Sequence, residues 1–338
     1  MRVGPVLGHS AELELYFGYI KDCLATKICL HVSESTTWGF EELPCAAPVP
    51  GAITVSTSGT TGDSKQVFGL LAEKIRKNSG ANFSRVWLCC FAIDKWAGIS
   101  LIAFALQGGE AVSIPEELTA REVLRCISDD LVTNVNLTPS LFRRLALGHD
   151  QISEGLKSIV SVTLGGEYAS QSTLDLVRAI CPSARITHVY ATTETGEVFA
   201  SSDGIEGFDS NKVLSNPKLE LSETGELFVE GFNTGDRWVI VGDRLKFSGR
   251  SGSFIKVGGQ KVLPSEIEEV AMSVPGVNLA KVYPKENALL GHVLIMEFEG
   301  TIDEASLRLG LNKMLPKYKV PRLINKVELI ELSKAGKR

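Results

Sequence analysis

The sequence predicts an α/β protein in two parts. A large amino-terminal α/β domain with a mostly parallel sheet and a β subdomain is joined by a hinge to a small carboxy-terminal α+β domain. Three observations predict this. Apolar strand-like runs alternate with helical patterns from about Gly51 to Tyr190, the signature of a largely parallel sheet with helical connections. From Asp203 the pattern changes to short strands and turns. After "GRSGSF" it changes again, to strands and helices that make a compact unit of their own. At 338 residues the chain exceeds what one core usually serves, so two domains are expected, 1–249 and 250–338.

Each element follows from its local pattern. "AITVST", after the Pro50–Gly51 turn, reads as a short apolar strand. Beyond Lys65, "VFGLLAEKIRKNSG" has apolar residues at helical spacing and stops at Asn78–Gly80, so strand, loop and helix are expected in that order. "VWLCCFA", "EAVSI", "NVNLT", "IVSVTLGG" and "ARITHVY" read as strands. "GISLIAFALQ", "AREVLRCISDD", "PSLFRRLAL" and "QSTLDLVRAI" read as the helices between them. "GELFVEGF" and "DRWVIVGDRLKFSGR" supply the β subdomain. The small domain is expected to hold helix "SEIEEVAMSV", strands "LAKVYPK" and "HVLIMEFE", helix "DEASLRLGLNKML" and a last strand "KVELIEL". Arg250 to Ser253 is the expected boundary, with Gly252 suited to a hinge.

Composition excludes several classes. The chain is 44% hydrophobic and 22% charged, as ordinary globular proteins are, and its net charge of −5 offers no basic footprint for nucleic acid. No apolar run is long enough to cross a bilayer, and the start "MRVGPVLGHSAELELYF" lacks the pattern of a secretory leader. Seven cysteines without a C-x-x-C pair read as reduced thiols of a cytoplasmic protein. With five scattered histidines, a metal cage built by the protein alone is not expected.

The chemistry begins at "STSGTTGDSKQV", Ser56 to Val67, which holds six hydroxyl residues, two glycines and one lysine. Such a segment is either a plain connecting loop or a cradle for phosphate oxygens, built from backbone N–H groups, hydroxyls and one cation. Its G-x-x-G-x-x-K spacing is not that of the common nucleoside-triphosphate loop. "HVYATTETG" brings Tyr190, two threonines and Glu194 to the carboxyl end of a predicted strand, where open α/β sheets bind ligands. The alternative is a core ring and a solvated cap. Asp236 and Arg250 flank a hairpin-like stretch, "FIKVGGQKVLPSEIEEV" follows, and the tail ends "ELSKAGKR".

Taken together and in this order, these five segments resemble the acyl-adenylate-forming superfamily of acyl- and aryl-CoA ligases, luciferases and free-standing adenylation domains. "TSGTTGDSK" is similar to the family's [ST]-SG-[ST]-TG-x-x-K, and "YATTE" departs from Y-G-x-T-E only at Ala191. T-G-D is present at Thr234–Asp236 and G-R at Gly249–Arg250. The small-domain signature I-K-x-x-G-x-x-x-x-P-x-E-I-E runs from Ile255 to Glu268, and the closing G-K is Gly336–Lys337. The resemblance spans from about Ala52 to the end.

It implies ATP-dependent activation of a small acyl or aryl carboxylic acid as acyl-AMP, with release of pyrophosphate, then transfer to a thiol, most simply CoA. The loop Thr57, Ser58, Gly59, Thr60, Thr61, Gly62 to Lys65 would fold over the β- and γ-phosphates. Gly165, Gly166 and Glu167, with Tyr190, Ala191 and Thr192, would border the nucleotide. Thr193 would hydrogen-bond the α-phosphate and Glu194 would hold Mg²⁺, a hard cation suited to carboxylate and phosphate oxygens. Asp236 would accept from the ribose hydroxyls beside Arg250. Lys337 would sit between the substrate carboxylate and the α-phosphate. Lys256 and the tunnel glycines Gly258 and Gly259 would replace it when a pantetheine thiol enters.

The departures bear on partners and substrate. About fifty residues precede the phosphate loop, fewer than the family places there, so apolar surface covered by a homodimer or a partner protein is expected. Gly252 stands where the family's hinge carries Asp or Lys. "DKWAGISLIAFALQGG" resembles the acyl-pocket helix of 2-succinylbenzoate–CoA ligases and their relatives, with Trp96, Ala97 and Gly98 at the pocket. Trp96 reads equally as a core residue. Amino-acid-activating domains carry an aspartate four positions before a tryptophan. Here Asp94 precedes Trp96 by two, which disfavours an α-amino acid. Two other readings stay open: loading of an acyl carrier protein through its phosphopantetheine arm, and a non-catalytic nucleotide-binding scaffold.

Overall fold

The computed structural model describes residues 20, 30–32, 40–41, 52–57, 65–70, 84–93, 95–147, 156–287 and 291–332. Strands β1 (Leu30–Val32), β2 (Phe40–Glu41), β3 (Ala52–Thr57) and β4 (Lys65–Leu70) form one sheet in the order β2-β1-β3-β4. β3 and β4 are an antiparallel hairpin with Thr57 opposite Lys65. This corrects the helix expected just after Lys65. The spacing of Phe68 and Leu70 fits either period over so short a run, and pairing with β3 decides for the strand. The hydroxyl-rich loop therefore joins two strands, and no helix end follows Lys65 directly. Residues 58–64 lie outside the described residues, and so do Ser58, Gly59, Thr60, Thr61 and Gly62.

The central sheet runs β10-β9-β8-β7-β5-β6. Its order in the chain is β5 (Val86–Cys89), α1 (Trp96–Gly108), β6 (Ala111–Ser113), α2 (Ala120–Asp129), β7 (Asn134–Leu137), α3 (Pro139–Leu147), β8 (Ser161–Leu164), α4 (Gln171–Ile180), β9 (Arg185–Thr192) and β10 (Gly196–Ser201). The pairs from β6 to β9 are parallel, as the alternating pattern predicts, and β10 returns antiparallel to β9. On one face Val135, Leu137, Val162, Leu164 and Ile186 pack on α2, α3 and α4. On the other, Trp87 and Cys89 pack on α1. Burying each such Leu, Ile or Val contributes about 1.5–3 kcal/mol. Cys89, Cys90, Cys126 and Cys181 are free and buried. Burial pushes the Cys89 thiol up to about 12, so it stays protonated and inert.

The β subdomain holds β11 (Phe208–Asp209), α5 (Ser210–Leu214), β12 (Leu219–Leu221), β13 (Glu226–Val229), β14 (Phe232–Val241) and β15 (Arg244–Arg250), in sheet order β11-β15-β14-β13-β12. The chain then turns at Ser251–Gly252. Ser253 Oγ donates to Arg250 O at 2.7 Å and accepts from Arg250 N at 3.1 Å. Gly252 has φ +92, which only glycine adopts freely, so the expected boundary is a defined turn.

The carboxy-terminal unit holds β16 (Ile255–Val257), β17 (Gln260–Val262), α6 (Pro264–Met272), β18 (Val277–Asn287), β19 (Gly291–Gly300), α7 (Glu304–Met314) and β20 (Leu323–Lys326). Its core gathers Ile267, Ala271, Leu279, Met296, Phe298, Leu307 and Leu311. The last strand is not "KVELIEL" but β20, parallel to β19 with Ile324 opposite Met296. Beyond it the Ile330 amide donates to a side chain, Glu299 Oε1, so no strand partner takes it.

Candidate active site

A cleft of about 1730 Å³ runs along one face of the central strands to their carboxyl ends, between the central sheet, the β subdomain and α6. Three turns build its wall. At the end of β8, Gly165 N donates to Leu137 O at 3.1 Å, and Gly166 has φ +80. A Cβ on Gly165 would meet only Phe91 Cζ at 3.9 Å, so its backbone faces open space. Glu167 lines the cleft while its Oε2 accepts from Ser140 N at 3.0 Å, capping α3.

The second turn joins β9 to β10. Thr195 N donates to Thr192 Oγ1 at 3.1 Å, and Gly196 with φ +74 closes the hairpin. Thr192 thus holds the turn, while Thr193 and Glu194 at its apex line the cleft, with Ala191 beside them.

The third feature is a network. Asp236 and Arg250 face each other across β14 and β15, and Arg250 Nε lies 2.7 Å from Asp236 Oδ1. Tyr190 Oη donates to Asp236 Oδ2 at 2.6 Å. Each carboxylate oxygen thus has one protein donor and keeps lone-pair capacity for a further donor. Burial, and then the Asp236 charge, push the Tyr190 phenol well above its ordinary range, so it remains a donor. Its ring stacks on Phe199 at 4.9 Å and meets Trp238 edge-on, which fixes its place. Asp236 itself is held by Thr234, whose Oγ1 accepts from Asp236 N at 3.2 Å.

The expected pocket helix divides. Trp96 and Ala97 line the cleft, and Trp96 is at the same time part of the α1 core. Gly98 does not line the cleft: a Cβ there would lie 2.5 Å from Ala92 O, so it is a packing glycine. From the small domain, Pro264, Ser265, Glu266 and Glu269 of α6 reach the cleft. Lys256, Gly258 and Gly259 do not line it in this arrangement, and Lys337 lies outside the described residues.

Sequence reasoning missed Tyr168, Trp238 and the Lys246–Glu206 ion pair at 2.6 Å, all at the cleft. Tyr168 directly follows the "GGE" turn, which was a usable signal. The floor made by β7, β8 and β9 on the α1 side was also missed. It is polar, with Asn134, Asn136, Ser161, Thr163 and Thr187, and Asn136 Oδ1 is buried without a hydrogen-bond partner among the described residues. The same period-2 alternation that places Val135 and Val162 in the core points these residues the other way.

The donor set fits a nucleotide. A carboxylate ready for hydroxyl donors, an aromatic ring and an open glycine turn meet at one end of the cleft, and Glu194 offers a carboxylate of the kind that suits Mg²⁺. Fold and cleft are those of an α/β protein whose carboxy-terminal unit, through α6, reaches the cleft. More specifically, the chain belongs to the AMP-binding enzyme family, whose profile matches residues 27–228.

Among curated relatives it is similar to the 2-succinylbenzoate–CoA ligase of Lactococcus lactis subsp. lactis (strain IL1403), 24% identical over 364 residues, covering 96% of this chain and 79% of the relative. The corresponding enzyme of Staphylococcus aureus (strain JH9) is 26% identical over 331 residues, covering 83% of this chain and 64% of the relative. Among solved structures, ATP-bound MatB from Rhodopseudomonas palustris aligns with a TM-score of 0.66 at 19% identity, over 88% of this chain and 68% of that one. The anthranilate CoA ligase AuaEII with anthranoyl-AMP aligns at 0.68 and 19%, over 84% and 65%. These structural likenesses show the fold. Among the described residues, no helix is long and apolar enough to cross a membrane.

Proposed function

We propose that this protein activates a small acyl or aryl carboxylic acid with ATP and passes the acyl group to a thiol, with CoA as the acceptor. The observation that carries the reading is the Tyr190–Asp236–Arg250 network beside the open Gly165–Gly166 turn. Asp236 accepts from the ribose hydroxyls, and Tyr190 and Arg250 hold its carboxylate in place. Thr193 donates to the α-phosphate, Glu194 supplies a ligand to Mg²⁺, and the loop from Thr57 to Lys65 covers the β- and γ-phosphates. A substrate carboxylate oxygen attacks the α-phosphorus and the bond to the β-phosphate oxygen breaks, so pyrophosphate leaves with the electron pair. Lys337 offsets the negative charge that spreads as this happens, where a positioned charge is worth most. A thiolate then attacks the acyl carbon, and AMP leaves. The names of the curated relatives support CoA as that thiol.

The acid is held beside Trp96, Ala97, Gly165 and Ala191. The amide and hydroxyl floor, with Asn136 Oδ1 lacking a partner among the described residues, favours an acid with polar substituents over a bulky alkyl chain. The test is a reaction with ATP, Mg²⁺ and a panel of carboxylic acids, with CoA or an acyl carrier protein added in turn. Mass spectrometry is expected to find acyl-CoA and AMP in equal amounts. Acyl transfer to the carrier protein alone would reassign the acceptor, and ATP binding without any product would leave only a scaffold.

A further inference from the structure

The contact between the two domains holds a closed polar ring that the site does not use. Arg144 stands on α3 of the large domain and Glu299 on β19 of the small one. Arg144 Nη2 lies 2.7 Å from Glu299 Oε1. The same oxygen accepts from Ile330 N at 2.5 Å, and Arg144 Nη2 also donates to Ile330 O. Two side chains from two domains thus hold both backbone groups of one residue. The ring is buried: the side chains of Arg144 and Glu299 are 12% and 5% exposed. Ile330 is buried in the small-domain core, and Leu332 packs against the cores of both domains.

Glu299 is an unusual residue for that place. Its neighbour Phe298 is fully buried in the small-domain core, so the strand's period turns Glu299 outward, toward α3. A buried carboxylate with only one backbone N–H to hold it is costly, and the Arg144 guanidinium is what balances it. That guanidinium belongs to the other domain, so the ring exists only when the domains dock as they do here.

We propose that Arg144 and Glu299 are positioning residues. They form an interdomain clamp that fixes the chain at Ile330 against the large domain, seven positions before Lys337 in the sequence. The clamp itself stands on the contacts above; its consequence for catalysis rests on the function proposed in the preceding subsection. Any separation of α3 from β19 opens the ring. The clamp therefore favours the domain arrangement seen here over any in which α3 and β19 part.

Hydrogen–deuterium exchange on the full chain tests the clamp without any substrate. Arg144→Met keeps the packed stem and removes the charge. It is expected to raise exchange of the segment 327–332 by about 100-fold or more, while strands β18 and β19 stay protected as in the wild type. Arg144→Lys, which keeps the charge, is expected to recover part of that protection. Arg125→Ala, which removes an exposed ion pair on α2, is expected to change nothing. Unchanged exchange at 327–332 in Arg144→Met overturns the clamp, as does an equal rise throughout β18 and β19, which would mean a general loss of folding.

The catalytic consequence is read by ATP–pyrophosphate exchange. Arg144→Met is expected to lower kcat at an unchanged KM for ATP, with transfer from preformed acyl-AMP to CoA retained. A wild-type rate of exchange in Arg144→Met removes the positioning role. A wild type inactive with every acid defeats the functional reading and, with it, the catalytic role, while the exchange measurement still decides the clamp.

Discussion

Two glycines that look alike in sequence are expected to respond in opposite ways to the same added methyl group. In Gly98→Ala the new Cβ would lie 2.5 Å from Ala92 O, 2.9 Å from Ile93 Cα and 3.0 Å from Ala92 C. All three are backbone atoms, so relief requires α1 to move away from the preceding loop. Overpacking of this kind costs about 1–3 kcal/mol. Alanine's better helix propensity returns up to about 1 kcal/mol, which leaves a net loss of about 0–2 kcal/mol, expected toward the upper end because every clashing atom is backbone. In Gly165→Ala the Cβ meets only Phe91 Cζ at 3.9 Å, and φ at this glycine is not positive. Stability is then expected to hold or to rise by about 0.4–1 kcal/mol, because alanine restricts the unfolded chain. That methyl group stands in the cleft, however, where nucleotide and acid must meet, so activity is expected to fall. Urea denaturation monitored by tryptophan fluorescence, beside ATP–pyrophosphate exchange, reads both effects. The reasoning is refuted if Gly98→Ala is as stable as wild type, or if Gly165→Ala is destabilised as much as Gly98→Ala.

Tyr190→Phe keeps the stacked ring and removes the 2.6 Å bond to Asp236, so a loss of about 1.5–3 kcal/mol in denaturant stability is expected, with weaker ATP binding by calorimetry. A change below about 0.5 kcal/mol contradicts the network. Burial holds the His188 imidazole below its ordinary range, and the ring is hydrogen-bonded to Gly207 O at 2.7 Å. The unfolded state therefore binds the proton first as pH falls. His188's contribution is complete above its ordinary value of about 6.5 and is lost as pH falls through the lower folded value. Tm is expected to drop between pH 7.5 and 5.5, and to drop less in His188→Gln; equal drops would contradict this. Gly259, with φ +82 and open space around it, lies away from the cleft in this docking. Gly259→Trp is expected to spare pyrophosphate exchange and to block thioester formation, and equal loss of both half-reactions would exclude a tunnel there.

Much of the central sheet was legible because its signals are local. Helices over Pro139–Leu147 and Gln171–Ile180 carry their own periodicity, and the structure places them at those residues. The segment Lys65–Leu70 misled because six residues fit two periods, and only its partner strand, far outside the window, selects one. "KVELIEL" alternates as a strand does, but a buried carboxylate on β19 takes its Ile330 amide. Gly98 matched a pocket position by register, yet the reason for its missing side chain is the backbone of Ala92. The Tyr190–Asp236–Arg250 network joins residues 46 positions apart, and only the motif order suggested that they meet. How α6 rather than Gly258–Gly259 comes to face the cleft depends on domain docking, which no local pattern encodes.

The central claim is that this cleft joins a carboxylate to the α-phosphate of ATP. ATP–pyrophosphate exchange measures that step alone, without any assumption about the acceptor. A panel of 2-succinylbenzoate, anthranilate, short dicarboxylates, fatty acids and α-amino acids is supplied to the wild type and to Lys337→Ala. Labelled pyrophosphate is expected to enter ATP only when a small acyl or aryl carboxylate is present, with α-amino acids inactive, and Lys337→Ala is expected to be slower by about 10²–10³-fold. Binding of ATP with no acid-dependent exchange across the whole panel would contradict the account.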